Sequence, residues 1–301
     1  MTNLRILDVN WTGRSRSIGV VLLKSNGTTS LIDPGPESTL STLRRQLEAH
    51  GVQICDLNAI LLTHIHLDHA GATGSLVREN PQLKVYVHEK GAPHMTDPAK
   101  LLASASRLYG GEMQRLYGEF LPVPPENLKI LRGGETIAIG ERPLEVLYTP
   151  GHASHHVTYW DAEAKIAFVG DTAGICVEGD AFILPAVPPP DIDIPLWNRS
   201  LDALEALRPS RLFLTHFGFV DRPTEHIARY RERLDDWVSL ARRLLQENGD
   251  ENEAAQRFVE ETAAEIRRVH TRADAEHYIF NGGLLLSWLG LARYLRKHGG
   301  M

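Results

Sequence analysis

The chain has 301 residues, 43% hydrophobic and 23% charged, with a formal net charge of −6 at pH 7. These proportions belong to an ordinary globular protein with a sizeable core, in one large domain or two modest ones. The acidic balance weighs against a surface that tracks nucleic acid, and two widely separated cysteines, Cys55 and Cys176, weigh against a disulfide framework and fit a reducing, cytoplasmic setting.

Taken in chain order, the opening residues MTNLRILDVN show no basic stretch followed by a long apolar run, so no secretory signal is expected. Short apolar runs bounded by turn residues predict strands at 5–9, 19–23 and 30–32, then a helix at 38–50. A strand at 59–62 leads into a helix at 70–80, followed by a strand at 84–87 and a helical stretch at 98–120. Further strands are predicted at 144–148, 166–169 and 212–214. Hairpin-like and βα segments mixed in this way imply an α/β fold whose sheets carry helices on their outer faces.

From about Pro223 the composition turns rich in Ala, Leu, Glu and Arg. Three helices are predicted, at 224–247, 251–269 and 275–297, with turn signals at Asn248-Gly249 and Arg272. Ile227, Tyr230, Leu234, Trp237, Leu240, Ala241 and Leu244 form an apolar stripe at helical spacing, while the pairs Arg242-Arg243 and Arg267-Arg268 read as solvated helix faces. The division expected is therefore a domain over 1–222 and a helical extension over 223–301. The most apolar window, 282–295, is broken by Ser287, Gly290 and Arg293 and falls short of the roughly 20 residues a bilayer needs. It reads as a buried helix, serving either as core or as a homodimer interface.

The chemistry concentrates at strand ends. T-H-I-H-L-D-H-A-G, residues 63–71, follows the apolar run 59–62. His64 and His66, two apart in an extended segment, point to one side. Asp68 and His69 follow where the chain turns into a helix. The strand at 144–148 ends in T-P-G-H, that at 166–169 in G-D-T, and that at 212–214 in T-H-F-G. Four strand ends thus each deliver a metal-binding side chain into a loop with small neighbours. Imidazole and carboxylate without thiolate suit zinc, iron or manganese and point away from structural zinc.

These four motifs, in this order and spacing, with Asp33 in L-I-D-P-G, resemble the metallo-β-lactamase-fold hydrolase superfamily over roughly residues 6–219, in its glyoxalase II-like or lactonase-like branch. The resemblance implies an αββα sandwich with two divalent metal ions, zinc first and iron or manganese as alternatives. By position, His64, His66 and His152 would hold one ion, Asp68, His69 and His216 the other, and Asp171 would bridge them. Cleavage would use a metal-bridging hydroxide, with Asp68 also accepting and passing on its proton. Asp33 and His156 are the candidates for orienting the ligands from behind. His155 stands where the superfamily often has glycine.

The stripe in 98–120, with Tyr109, Met113 and Tyr117, reads equally as core packing or as a cap forming a substrate pocket. The proline-rich stretch 185–191 reads as a pocket rim or a connector. His50, His88, His226 and His298 read as surface residues. Asp171 disfavours a true β-lactamase, His66 stands where the flavodiiron oxygen reductases have glutamate, and T-H-F-G departs from the G-H-E-Y context of the glutathione thioesterases. The expected function is a dinuclear hydrolase of a small ester, thioester, lactone or phosphoester. The partner expected is a small molecule, with neither nucleic acid nor membrane. The alternatives are a mono-iron sulfur dioxygenase using His64, His152 and Asp171, and a non-catalytic binding protein on the same fold.

Overall fold

A computed structural model describes residues 3–177, 182–247 and 250–298. The chain forms two compact units, one of Met1–Tyr148 with His155–Gly170, the other of Thr149–Ser154 with Asp171–Met301.

The first unit opens with a sheet of six strands in spatial order, β1 (Asn3–Asp8), β2 (Gly19–Ser25), β3 (Thr28–Ile32), β4 (Ala59–Leu61), β5 (Lys84–His88) and β6 (Leu128–Leu131). The β1–β2–β3 pairs are antiparallel. Asn26 and Gly27, both at positive φ, make the two-residue turn between β2 and β3 that matches strand twist. From β3 onward the pairing is parallel, so every link must cross over. Helices supply those crossings: α1 (Leu40–Ala49), then α2 (Leu67–Ala70) with α3 (Thr73–Glu79), then α4 (Ala92–Thr96), α5 (Ala99–Tyr109) and α6 (Met113–Tyr117). A parallel strand covered on both faces reads as a continuous apolar run, which is what Ala59-Ile60-Leu61 shows.

The same unit carries the antiparallel run β7 (Thr136–Ile139), β8 (Arg142–Tyr148), β9 (Val157–Asp161) and β10 (Ile166–Gly170). β7 alternates exposed and buried residues, whereas β9 and β10 are buried throughout.

The second unit contains the helix α7 (Ile194–Ala206), the hairpin of β11 (Arg211–Leu214) and β12 (Gly218–Val220), and four further helices: α8 (Pro223–Glu247), α9 (Glu251–Val269), α10 (Arg272–Gly282) and α11 (Leu284–His298). Asp193, Asp250 and Thr271 cap α7, α9 and α10 by accepting a backbone N–H from the first turn. Trp237 of α8, Phe258 of α9 and Trp288 of α11 are fully buried and meet ring to ring at 5.4 and 5.7 Å. Among the described residues no helix is long and apolar enough to cross a membrane.

Several elements depart from the sequence reading. The stretch 98–120 is two helices, α5 and α6, because Gly110 takes a left-handed φ of 52° that stops the first. The predicted helix at 275–297 is likewise two, divided at Gly283 in a left-handed C-cap, so four helices follow Pro223 among the described residues. The predicted turn at Asn248-Gly249 lies outside the described residues. Strands β6, β7, β9 and β12 and helices α4 and α7 add to the predicted set. β6, β7 and β12 have only three or four residues each, too few to show a period.

Candidate metal centre

In the first unit the chain leaves β4 through Leu62, bends at Thr63 and reaches His66, whose ψ is 151°, before α2 begins. That segment brings His64 Nε2 and His66 Nδ1 to 3.0 Å of each other. The single turn of α2 then presents Asp68 and His69, with Asp68 Oδ2 3.9 Å from His69 Nε2. The donor atom of His64 also lies within 4.8 Å of that of His69. His64 and His69 are fully buried, while Asp68 keeps about a fifth of its side chain exposed.

Asp33 holds this group from below. It follows β3 at a φ of 48°, a left-handed conformation that aspartate tolerates better than most residues. Its Oδ1 accepts the Thr63 backbone N–H at 2.8 Å, and its Oδ2 accepts the Thr63 hydroxyl at 2.7 Å. The same Oδ2 lies 2.9 Å from His69 Nδ1, which must carry the proton, so the His69 lone pair is on Nε2. The Thr63 hydroxyl, its proton committed to Asp33, meets His64 Nδ1 at 3.1 Å with a lone pair. His64 therefore also bears its proton on Nδ1 and its lone pair on Nε2.

His156 is buried with its ring 5.0 Å from that of His64 and inclined 29° to it. A Cβ on Gly170 would stand 2.6 Å from His156 Nε2 and from Thr63 Oγ1, so only glycine fits there. His155 stacks further out, 6.1 Å from His64.

Tyr109 and Tyr117 lie edge to face at 4.9 Å, their hydroxyls hydrogen-bonded. Burial, with the nearby Asp68 carboxylate, pushes Tyr109 up to about 12. Burial, then Tyr109 and Asp68, raises Tyr117 well above the ordinary phenol range. Both therefore stay protonated hydrogen-bond donors at neutral pH. Met113 opens α6 half-buried between them in sequence.

In the second unit Gly151 sits at a φ of 143°, and a side chain there would overlap the Cα of Trp197. This close approach fixes the loop that carries His152. His152 Nδ1 donates to the Ala186 carbonyl at 2.7 Å, leaving Nε2 3.5 Å from Asp171 Oδ2. The other oxygen of Asp171 lies 3.7 Å from Nε2 of His216, which stands in the turn between β11 and β12. One carboxylate thus offers one oxygen to each of two histidines. All three side chains are buried.

Two histidines read as surface residues are core residues. His226 on α8 is 1% exposed and donates from Nε2 to the Ala173 carbonyl at 2.8 Å. His88 is 2% exposed and stacks on Tyr148 at 4.5 Å with the rings within 5° of parallel. Burial, reinforced by Lys90, pushes its pKa down. Polar sequence neighbours misled the reading of His226 and a place at a strand end that of His88, because packing partners arrive from distant segments. The support given by Thr63 and by the Ala186 carbonyl was also missed. The threonine before His64 was a usable signal, but a backbone carbonyl leaves none.

The donors in each unit are imidazole nitrogens and carboxylate oxygens gathered within a few ångströms and mostly buried, a set suited to divalent zinc, iron or manganese. In each unit the second nitrogen of a buried imidazole is held by a carboxylate or a carbonyl, as metal-ligating histidines require.

A family model described as the metallo-beta-lactamase superfamily matches residues 13–216. The metallo-beta-lactamase fold-containing protein ST1585 of Sulfurisphaera tokodaii is 30% identical over 167 residues, 54% of this chain and 62% of that protein. Its crystal structure superposes with a TM-score of 0.70 at 22% identity, over 96% of this chain and 98% of that one. A hydroxyacylglutathione hydrolase of Legionella pneumophila is 25% identical over 151 residues, 50% of this chain and 44% of that enzyme. In sequence the chain therefore spans about half the length of the curated relatives it matches. The structure of TTHA1623 in a di-iron-bound form aligns with a TM-score of 0.53 at 29% identity, over 68% of this chain and 89% of that one.

Proposed function

The chain belongs to the metallo-beta-lactamase superfamily, and from that premise we propose that it is a dinuclear metal-dependent hydrolase of a small ester, thioester, lactone or phosphoester. The observation that carries this reading is the Asp171 carboxylate, with its two oxygens 3.5 and 3.7 Å from Nε2 of His152 and of His216. A carboxylate so placed is built to bridge two cations. The ligand set we assign is His64, His66 and His152 for one ion, Asp68, His69 and His216 for the other, with Asp171 between. Zinc is the first candidate, and iron or manganese suit the same donors. The two irons named for TTHA1623 support a pair of ions.

When bound, two divalent ions would bring the pKa of a water toward neutrality and polarise the substrate oxygen. The protein's own residues do the rest. Asp68 keeps an exposed carboxylate edge that can take the proton of the attacking water and pass it to the leaving group. Asp33 and Thr63 hold His69 and His64 with Nε2 outward, and His156 packs behind His64. Tyr109, Met113 and Tyr117 line the substrate side: Tyr117 donates its hydroxyl to Tyr109, and Tyr109 donates to a substrate oxygen near Asp68. The hydroxyacylglutathione hydrolase relative, named for a thioester reaction, supports acyl transfer to water as the reaction class.

The test is metal content per chain, on protein purified without added metal, beside assays on p-nitrophenyl esters, a lactone, a thioester and bis-p-nitrophenyl phosphate. Two metals per chain are expected, with turnover lost on chelation and in Asp171→Ala. A single iron without hydrolysis would overturn the reading in favour of a mono-iron dioxygenase. Metal-free protein with full biological effect would favour a binding protein.

A further inference from the structure

Helix α11 contains a glycine where helix formation argues against one. Gly290 lies mid-helix, a position where glycine costs about 1 kcal/mol relative to alanine. Its backbone approaches the segment 187–189 so closely that a Cβ would overlap the Val187 carbonyl oxygen. The same Cβ would stand 2.9 Å from the Pro188 carbonyl carbon and 3.0 Å from the Pro189 nitrogen. Those atoms are backbone, so the space can be made only by moving the segment or the helix against it.

That segment is anchored at several points. Arg293, one turn further along α11, donates from Nε to the Pro190 carbonyl at 3.3 Å. Tyr278 of α10 donates its hydroxyl to the Phe182 carbonyl at 3.1 Å. Leu184 pairs with Ile175 in an antiparallel bridge, and Asp191 Oδ2 accepts the Ser154 backbone N–H at 2.8 Å. Between these anchors, next to Val187, stands Ala186, whose carbonyl accepts from His152 Nδ1 at 2.7 Å. A shift of Val187 therefore moves the carbonyl that accepts from His152 Nδ1 and so sets its tautomer and ring angle.

We propose that helix α11 is a positioning element for the metal centre, the close approach at Gly290 holding the Ala186 carbonyl so that His152 presents Nε2 as a ligand. The inference rests on the metal-site reading above, and Gly290 acts through His152. It gives the C-terminal helices a part in metal affinity. It also explains the proline-rich 185–191 as a stiff strap, since proline resists the bending that would uncouple Val187 from its neighbours. Outer supports of this kind typically change metal affinity by roughly 10- to 100-fold.

The experiment is a cobalt(II) titration of metal-free full-length protein, read as dissociation constants and as the d–d absorption spectrum. Far-UV circular dichroism checks the fold. The comparison set is wild type, Gly290→Ala, Arg293→Ala, and Leu285→Ala, which changes an exposed side chain on the same helix. His152→Ala supplies the reference spectrum for loss of that ligand. Gly290→Ala is expected to weaken one cobalt site about tenfold and to move the spectrum toward that of His152→Ala. Arg293→Ala should do so by about threefold, and Leu285→Ala not at all. Folded Gly290→Ala with wild-type affinity and spectrum would overturn the proposal, as would equal losses in Leu285→Ala. If Gly290→Ala does not fold, Arg293→Ala decides: an affinity equal to that of wild type overturns it. A wild-type protein that binds no cobalt would overturn the metal-site reading and this inference together. Wild-type binding with unaffected variants overturns this inference alone.

Discussion

Asp33 Oδ2 lies 2.9 Å from His69 Nδ1, with both side chains sealed from solvent, and the same carboxylate secures Thr63 through its hydroxyl and its backbone N–H. A single side chain thereby sets the orientation of His69 directly and that of His64 through Thr63. Removing it takes an acceptor away from three buried donors. Asp33→Ala is expected to cost about 3 kcal/mol of stability and to weaken metal binding roughly 10- to 100-fold. Asp33→Asn, which keeps the shape and part of the acceptor capacity, should fall between. Urea unfolding and chelator competition read the two effects separately, and full retention of metal affinity in Asp33→Ala would rule out the orienting role.

His88 predicts an acid-side loss of stability. Burial lowers its pKa in the folded state first of all, and the Lys90 charge lowers it further, from an ordinary value of 6.5. Unfolded chain then binds the proton more readily than folded chain, so stability rises with pH across the interval between the two pKa values. The contribution is complete above about pH 6.5 and is lost as the pH falls toward the folded-state pKa. His88→Phe keeps a flat ring against Tyr148 and should flatten this part of the profile. Melting temperatures measured at about pH 5 and about pH 7.5 should differ less in the variant than in wild type. An unchanged difference would exclude His88 as a contributor.

Arg142 and Asp161, on neighbouring strands β8 and β9, form an ion pair in the core of the first unit. Removing one partner strands the other charge, so Arg142→Met is expected to lower stability by about 3 to 5 kcal/mol. Arg142→Met combined with Asp161→Asn should recover about half of that, since Asp161 also accepts the Ala164 backbone N–H through its other oxygen, which the amide oxygen can replace. Denaturant midpoints of the single and double variants check this. Equal stabilities would mean that the pair is uncoupled.

Tyr109 stays protonated well past neutrality because burial and Asp68 push its phenol up to about 12. Losing one neutral hydrogen bond to a substrate oxygen is worth about 1.4 kcal/mol, or about tenfold in rate. Tyr109→Phe should therefore lower kcat/KM about tenfold at unchanged metal content, with no new alkaline loss below about pH 10 in wild type. Tyr117→Phe, which removes the partner hydroxyl, should do less. Wild-type kinetics in Tyr109→Phe would place the dyad in the core alone.

Much of this protein is encoded over short stretches. A strand followed by a histidine pair two apart, then Asp68 and His69 on one helical turn, needs only local backbone geometry, and so do the strand ends that deliver His152, Asp171 and His216. The sequence by itself therefore determined the family, the two-sheet architecture and the residues worth proposing as ligands. What decided the rest were contacts between segments far apart along the chain. His226 reads as a surface residue because its neighbours in sequence are polar, and His88 because it ends a strand, yet each packs against a residue from elsewhere, Ala173 and Tyr148. The glycine in α11 looks like an interruption until Val187 stands against it. Local periodicity records which face of an element is apolar, and only tertiary packing selects the backbone carbonyl or ring that meets it.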